Sequence, residues 1–404
     1  MPPTKTNPIP TQSKCRPWTA ALLALPICWA CSASAVPYIP ADDSEVLQYV
    51  LVSSDPRLRA IRDLGAALAQ HPDDLELSLQ LASRQLSLGV AESDPHFVGY
   101  AEGTLAPWWH DLAPPLKLRV LRARIRQAQH DFAAAKEELQ AVLQIDPTQV
   151  DARLVLAGIS ETTGDLEAAR QACSELARLR PGLAATACGA SVDSVTGHAK
   201  QASFALNLAT TRARSNDLAL QCWALTILAE IDARREEPAA DQEFRDALTA
   251  SPADVYTLTA YADYLLDHRR PAEVAHLLAG KERIDALLLR LALAAHESGD
   301  AKRDGYVADL AGRYQAAWAR GGALHYRDES RFELELRGNT PRALELARLN
   351  WGLQRTPLDA RIYLAAALAA HDRAGIDVIS DWVARTGLED NHLLRMLDQK
   401  DATL

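Results

Sequence analysis

The chain has 404 residues, of which 48 % are hydrophobic, only five Phe and two Met among them, and its net charge is −10. That length suits two or more globular domains or one extended array, and the dominance of Ala and Leu over β-branched runs points to an all-α protein. So acidic a chain does not suit general nucleic-acid binding, which needs a basic face to displace counterions.

The first 35 residues read as a signal peptide. Lys5, Lys14 and Arg16 precede the apolar stretch Trp18 to Ala30, which is too short to span a bilayer. Ala33-Ser34-Ala35 supplies small residues for cleavage after Ala35, with lipidation at Cys31 as the alternative. Cys28 and Cys31 form a CxxC without the following His of a haem site, inside the segment expected to be removed. No later stretch reaches the ~18–20 apolar residues of a transmembrane helix. The expected location is periplasmic or secreted.

Residues 36–115 read as degenerate helical hairpins, beginning near Ser44 and ending in the linker Ala106 to Pro115, which contains Trp108 and Trp109. The linker is either an exposed partner platform or a plug that staples neighbouring hairpins together. Next comes the helix Leu116 to Gln127, where Arg119, Arg122 and Arg126 share a face. That face either docks an acidic segment or is solvated and balanced by nearby carboxylates.

From 116 to 254 the pattern repeats. Segment 130–147 lies over segment 163–181, each running from a small or polar turn through Ala135 or Ala169 to Pro147 or Pro181, 34 residues apart. This grammar resembles the tetratricopeptide repeat family. Pro72, Pro252 and Pro357 continue the rhythm, often with an Asp soon after (Asp74, Asp151, Asp254, Asp359) to start the next helix. Gly299-Asp300, Gly338-Asn339 and His371-Asp372 mark turns in divergent hairpins over 255–386, and 387–404 reads as a tail. Segments 94–109 and 331–351 are similar to exported bacterial members of the family. The expected fold is a right-handed superhelical solenoid of about ten antiparallel helical hairpins, in which each hairpin is held only by its neighbours.

No phosphate loop, dinucleotide fingerprint, HExxH or nucleophile elbow occurs, and His296-Glu297 runs into a turn. No catalytic, metal or cofactor residues are therefore assigned. Cys173 and Cys188 stand at similar distances from the turn at Pro181-Gly182, so they pair as a disulfide in an oxidising compartment or stay as buried thiols, with Cys222 free either way. In the family, ligand peptides lie in the concave groove lined by first helices. The resemblance puts Lys117, Val120, Arg124 and Gln127 there, then Asp151, Leu154, Gly158 and Glu161, then Leu225, Ala229 and Asp232. It implies a scaffold or assembly factor binding proteins or peptides of the cell envelope, without catalysis. The alternative is a glycan hydrolase or lyase on a helical superstructure, needing two carboxylates about 5–10 Å apart.

Overall fold

The computed structural model describes residues 55–213, 217–319 and 326–398. The leader, its cleavage site, Cys28, Cys31 and the expected start at Ser44 lie outside them. Among the described residues there are twenty α-helices and no strand. They are α1 Pro56–Gln70, α2 Leu75–Glu92, α3 Pro95–Thr104, α4 Leu116–Ala128, α5 Phe132–Ile145, α6 Val150–Thr162 and α7 Leu166–Leu179. There follow α8 Leu183–Ser194, α9 Ala199–Arg212, α10 Leu218–Arg234, α11 Ala240–Ala250, α12 Val255–Asp267, α13 Pro271–Leu277 and α14 Asp285–Ser298. The last are α15 Arg303–Ala319, α16 Tyr326–Arg331, α17 Thr340–Leu353, α18 Pro357–Ala369, α19 Arg373–Thr386 and α20 Asn391–Asp398.

One backbone device recurs. Nine turns each place one residue in the left-handed region: Ser93, His130, Gly164, Gly197, Glu236, Arg269, Gly299, Gly338 and His371. Each closes one hairpin, from α2–α3 to α18–α19, with α1 before and α20 after. The residue after each turn donates its N–H to the carbonyl five back, as Asp131 does to Arg126 and Asp165 to Ser160, both at 2.8 Å. This satisfies carbonyls that a helix end leaves open. At Gly338 the bond reaches six back, from Asn339 to Glu333, because a π turn at Phe332–Leu336 carries one extra residue. The side chains of Asp74, Asp131, Asp165, Asp217, Asp254 and Asp372 then cap the helices that follow them.

The first helices α4, α6, α8, α10, α12 and α14 touch in sequence and form an inner layer. Small residues let the second helices cross closely: Ala135, Ala169, Ala240 and Ala343 have no exposed surface. Leu139 and Val142 of α5 pack with Ile159 and Leu156 of α6, while Leu154 turns to the next cluster with Leu176 and Val192.

The arginine face of α4 is neither a free docking strip nor solvated. Arg119, Arg122 and Arg126 converge on Glu138 of α5, at 3.1, 2.6 and 3.6 Å. Arg122 is 4 % exposed and also donates to the Trp109 carbonyl at 2.7 Å, while Arg126 lies over the Trp109 ring. Trp108 and Trp109 pack against the α2–α4 core, so the linker is a staple.

Two expectations need correction. Residues 391–398 are not tail but α20, whose Leu393 is fully buried. Nor is each hairpin held by its neighbours alone, because the end of the chain packs along the row of turns. Arg355 N–H donates to the Thr162 carbonyl at 2.8 Å, and Glu389 accepts from Ala199 N–H at 3.0 Å. Asn391 donates to the Arg235 carbonyl at 3.0 Å, and Arg361 pairs with Asp267 at 2.8 Å. Val195 belongs to the same apolar cluster as Trp382 and Leu388. A Cβ on Gly164 would stand 3.0 Å from Arg355 Cδ, so the two segments approach closely at a turn whose positive φ favours glycine. The solenoid is thus closed on itself.

Between α10 and α11, Asp232 and Glu243 are buried together, 5 % and 7 % exposed, and both Glu243 oxygens lack a donor. Ser203 of α9 and Arg235 face Asp232, with Glu237 and Asp246 adding negative charge. Burial, then the charge of Asp232, raises Glu243 to about 8, so Glu243 stays protonated at neutral pH.

Two outcomes are expected. Ala169→Leu overpacks the α6–α7 crossing and costs about 1–3 kcal/mol, but melts in one step because the closure couples the flanks; exposed Ala133→Leu costs under ~0.5 kcal/mol. Two calorimetric transitions for the first variant would refute the coupling. Folded Glu243 keeps a proton that the unfolded chain releases above 4.5, so stability falls as pH rises from there through 8. Glu243→Gln should flatten that fall by on the order of 1–2 kcal/mol in melts from pH 5 to 9.

Candidate functional site

The inner layer carries a cluster of polar side chains drawn from several hairpins. Glu161, in the last turn of α6, accepts from Ser191 Oγ of α8 at 2.6 Å. Glu230 of α10 accepts from the Tyr256 hydroxyl of α12 at 2.8 Å. One turn beyond Glu230, Arg234 donates to Ser194 Oγ at 2.7 Å, while its Nε has no partner. Arg327 of α16 pairs with Asp359 at 2.6 Å and donates to Gln354 at 3.0 Å, which brings the α17–α18 connection to the same interior.

These groups feel one another. Burial raises Glu161 to about 7 against the Ser191 hydrogen bond and the charge of Arg234, and Glu230 adds repulsion. Burial also raises Glu230, although Arg234, Tyr256 and Arg327 oppose it. Tyr256 is pushed up by burial and by Glu230, and it senses Arg327 and Glu161 as well. Yet 60 % of the Tyr256 surface is open to solvent. An open surface at such depth is what a concave wall produces, where water reaches the ring but protein surrounds it at longer range.

Beyond this cluster the wall is tied shut. Arg290 of α14, 1 % exposed, holds Asp263 at 2.8 Å and Asp328 at 3.0 Å, and Arg331 also pairs with Asp263, at 2.5 Å. Burial alone would raise Asp263, but Arg290 and Arg331 hold it at about 2. These charges are matched and serve to join α12, α14 and α16.

The residues singled out in the sequence fall in different places. Lys117 is exposed and pairs with Glu76 at 3.4 Å. Arg124 and Asp151 are exposed, and Val120, Gln127, Leu154 and Gly158 are half-buried along α4 and α6. Of this set Glu161 meets the polar cluster. Ala229 and Asp232 turn into the core, and Leu225 is half-buried. The register carried over from α4 and α6, 13 residues each, does not fit the 17-residue α10, whose wall residues are Glu230 and Arg234. Their spacing of four near the end of a largely apolar helix was the available signal; nothing local linked them to Tyr256 or Arg327.

Cys173 of α7 and Cys188 of α8 are disulfide-bonded, with Cα atoms 5.5 Å apart, and Cys222 is a buried free thiol. Closing a loop of this size contributes about 3 kcal/mol in the chain-entropy description. Among the described residues no group of three or more His, Cys, Asp or Glu is placed to hold a metal ion. No helix among them is long and apolar enough to cross a membrane.

Residues 127–187 match the family model described as tetratricopeptide repeat. No curated protein matches the sequence. Among solved structures, the chain is similar to a tetratricopeptide repeat protein from Parabacteroides merdae, with 13 % identity over 62 % of this chain and 98 % of that one, and a TM-score of 0.38. The human IFIT1 dimer with PPP-AAAA matches at 12 % identity over 86 % and 95 %, with a TM-score of 0.45. Yeast Tom70 matches at 12 % identity over 86 % and 85 %, with a TM-score of 0.40.

Proposed function

Taking the chain as a tetratricopeptide-repeat protein, we propose that it is an exported scaffold or assembly factor that docks proteins or peptides of the cell envelope on its inner wall. The observation that carries this is the cluster of Glu161, Ser191, Glu230, Arg234 and Tyr256, contributed by four successive first helices and not consumed by the core. Such a wall offers an extended segment contacts from several hairpins at once. Export draws its support from the leader-like first 35 residues and from the Cys173–Cys188 bridge, which suits an oxidising compartment.

Crosslinking and capture from envelope extracts test this, comparing the native chain with an Arg124→Ala, Glu161→Ala variant. The native chain should retain partners that the variant loses at least roughly tenfold. Identical partner sets would remove the wall assignment. A second reading, glycan cleavage, draws on Glu161, held at about 7 beside Glu230, because an acid near neutrality and a second carboxylate are what glycoside chemistry needs. It requires peptidoglycan turnover that survives repurification and vanishes in Glu161→Gln; an inert preparation retires it.

A further inference from the structure

We propose that the buried contact between Glu243 of α11 and Asp232 of α10 is a pH-sensitive latch that governs whether α20 stays docked on the α10–α11 turn. The two carboxyls lie in the α10–α11 interface, 7 % and 5 % exposed, and neither oxygen of Glu243 has a donor among the described residues. Two carboxylates side by side and out of water are too costly to keep charged together. The closed interface therefore needs a proton on Glu243, which also supplies a hydrogen bond to Asp232. The cation facing the pair is Arg235, and it is shared. Its guanidinium lies 3.5 Å from Asp232, 2.8 Å from Glu237 and 3.9 Å from Glu389. The same turn is where the end of the chain docks. Asn391 of α20 donates to the Arg235 carbonyl at 3.0 Å, and Arg395 pairs with Glu236 at 2.6 Å. Arg235 and its neighbour Glu236 thus stand between the carboxyl pair and α20.

Loss of that proton leaves two anions facing Arg235. Either the guanidinium is drawn inward, away from Glu389, or the turn opens and water solvates the carboxylates. Both movements loosen the hold on Asn391 and Arg395. The groups around the pair do not offset this. Glu237 and Asp246 add negative charge, and Ser203 of α9 bonds Asp232. From α12, Tyr261 and Tyr264 pack on Phe244, while Arg245 and Arg270 are held by Asp241. In the closed state burial and Asp232 raise Glu243 to about 8, whereas in open water it returns toward its ordinary 4.5. Opening therefore releases a proton and grows easier as pH rises through that interval, levelling off above 8.

Hydrogen exchange of the full chain, read by mass spectrometry at about pH 6.5 and about pH 8.5 and corrected for intrinsic rates, tests the latch. Segments 231–243 and 389–398 should both lose protection at the higher pH, by roughly tenfold. The core segment Leu287 to Leu293 of α14 should stay more protected than either, which separates local release from global unfolding. Glu243→Gln keeps a donor toward Asp232 without the titrating proton and should remove the pH dependence from both segments. Glu243→Met gives the same reading should the glutamine variant fail to fold. Arg395→Ala should raise exchange of 389–398 at both pH values while 231–243 keeps its pH dependence. His392 of α20 is a second titratable group here, 3.7 Å from Asp267, and burial holds it below its ordinary range. A pH dependence that persists in Glu243→Gln or Glu243→Met belongs to it and overturns the latch. So does a change in 231–243 that leaves 389–398 untouched, equal protection of α14 and α20 at the higher pH, or no pH dependence at all. None of these outcomes depends on what the inner wall binds, so the latch and the docking reading fail separately.

Discussion

None of the central helices described can stand alone. Those of the central hairpins run 11 to 17 residues, a length at which an isolated helix is marginal in water. One hairpin buries too little apolar surface to offset the entropy of ordering it. Every helix must therefore share its core with the hairpin before and the hairpin after, and the rest of the architecture follows from that constraint. Alanine stands at the crossings because helices that must share a core must approach closely, and one left-handed residue per hairpin returns the chain to its neighbour.

Sharing runs further than along the chain. The apolar cluster of α17–α20 takes in Val195 from the α8–α9 turn and packs Leu166 from α7. The row of turns at the ends of α6, α8, α10 and α12 receives hydrogen bonds or ion pairs from the last hairpins. A linear array leaves its terminal hairpins half-covered; here the chain's end covers the edge of its own middle. The same closure carries Arg327 and the α17–α18 connection to the interior that Glu161 and Glu230 line, so the shape of the wall and the closing of the array are one event.

Charge is handled in two ways. On α4 and on α14, buried arginines are matched by Glu138, or by Asp263 and Asp328, and the matched groups tie helices together. Removing one partner from such a group costs about 3–5 kcal/mol, because the other is left buried without compensation. At Glu161, Glu230 and Glu243 the carboxyls join no ion pair among the described residues, and burial raises their proton affinity instead. The first arrangement holds the fold; the second leaves chemistry available at neutral pH.

The sequence by itself determined the helical class, the hairpin rhythm and much of its punctuation, because helix propensity, Pro at helix starts and Asp caps act over a few residues. Glycine announced four of the nine turns, and His371-Asp372 was legible from its rhythm; Ser93, Glu236 and Arg269 adopt the left-handed turn without a local signal. Glu161 was named from the sequence, and the structure places it beside Ser191 of α8. Only the tertiary structure decided the rest: which face of the longer α10 looks inward, that α20 is core and not tail, and that Arg327 belongs beside Glu230. Those outcomes depend on contacts between residues 26 to 156 positions apart, and no local pattern encodes which turn of a solenoid its own end will reach.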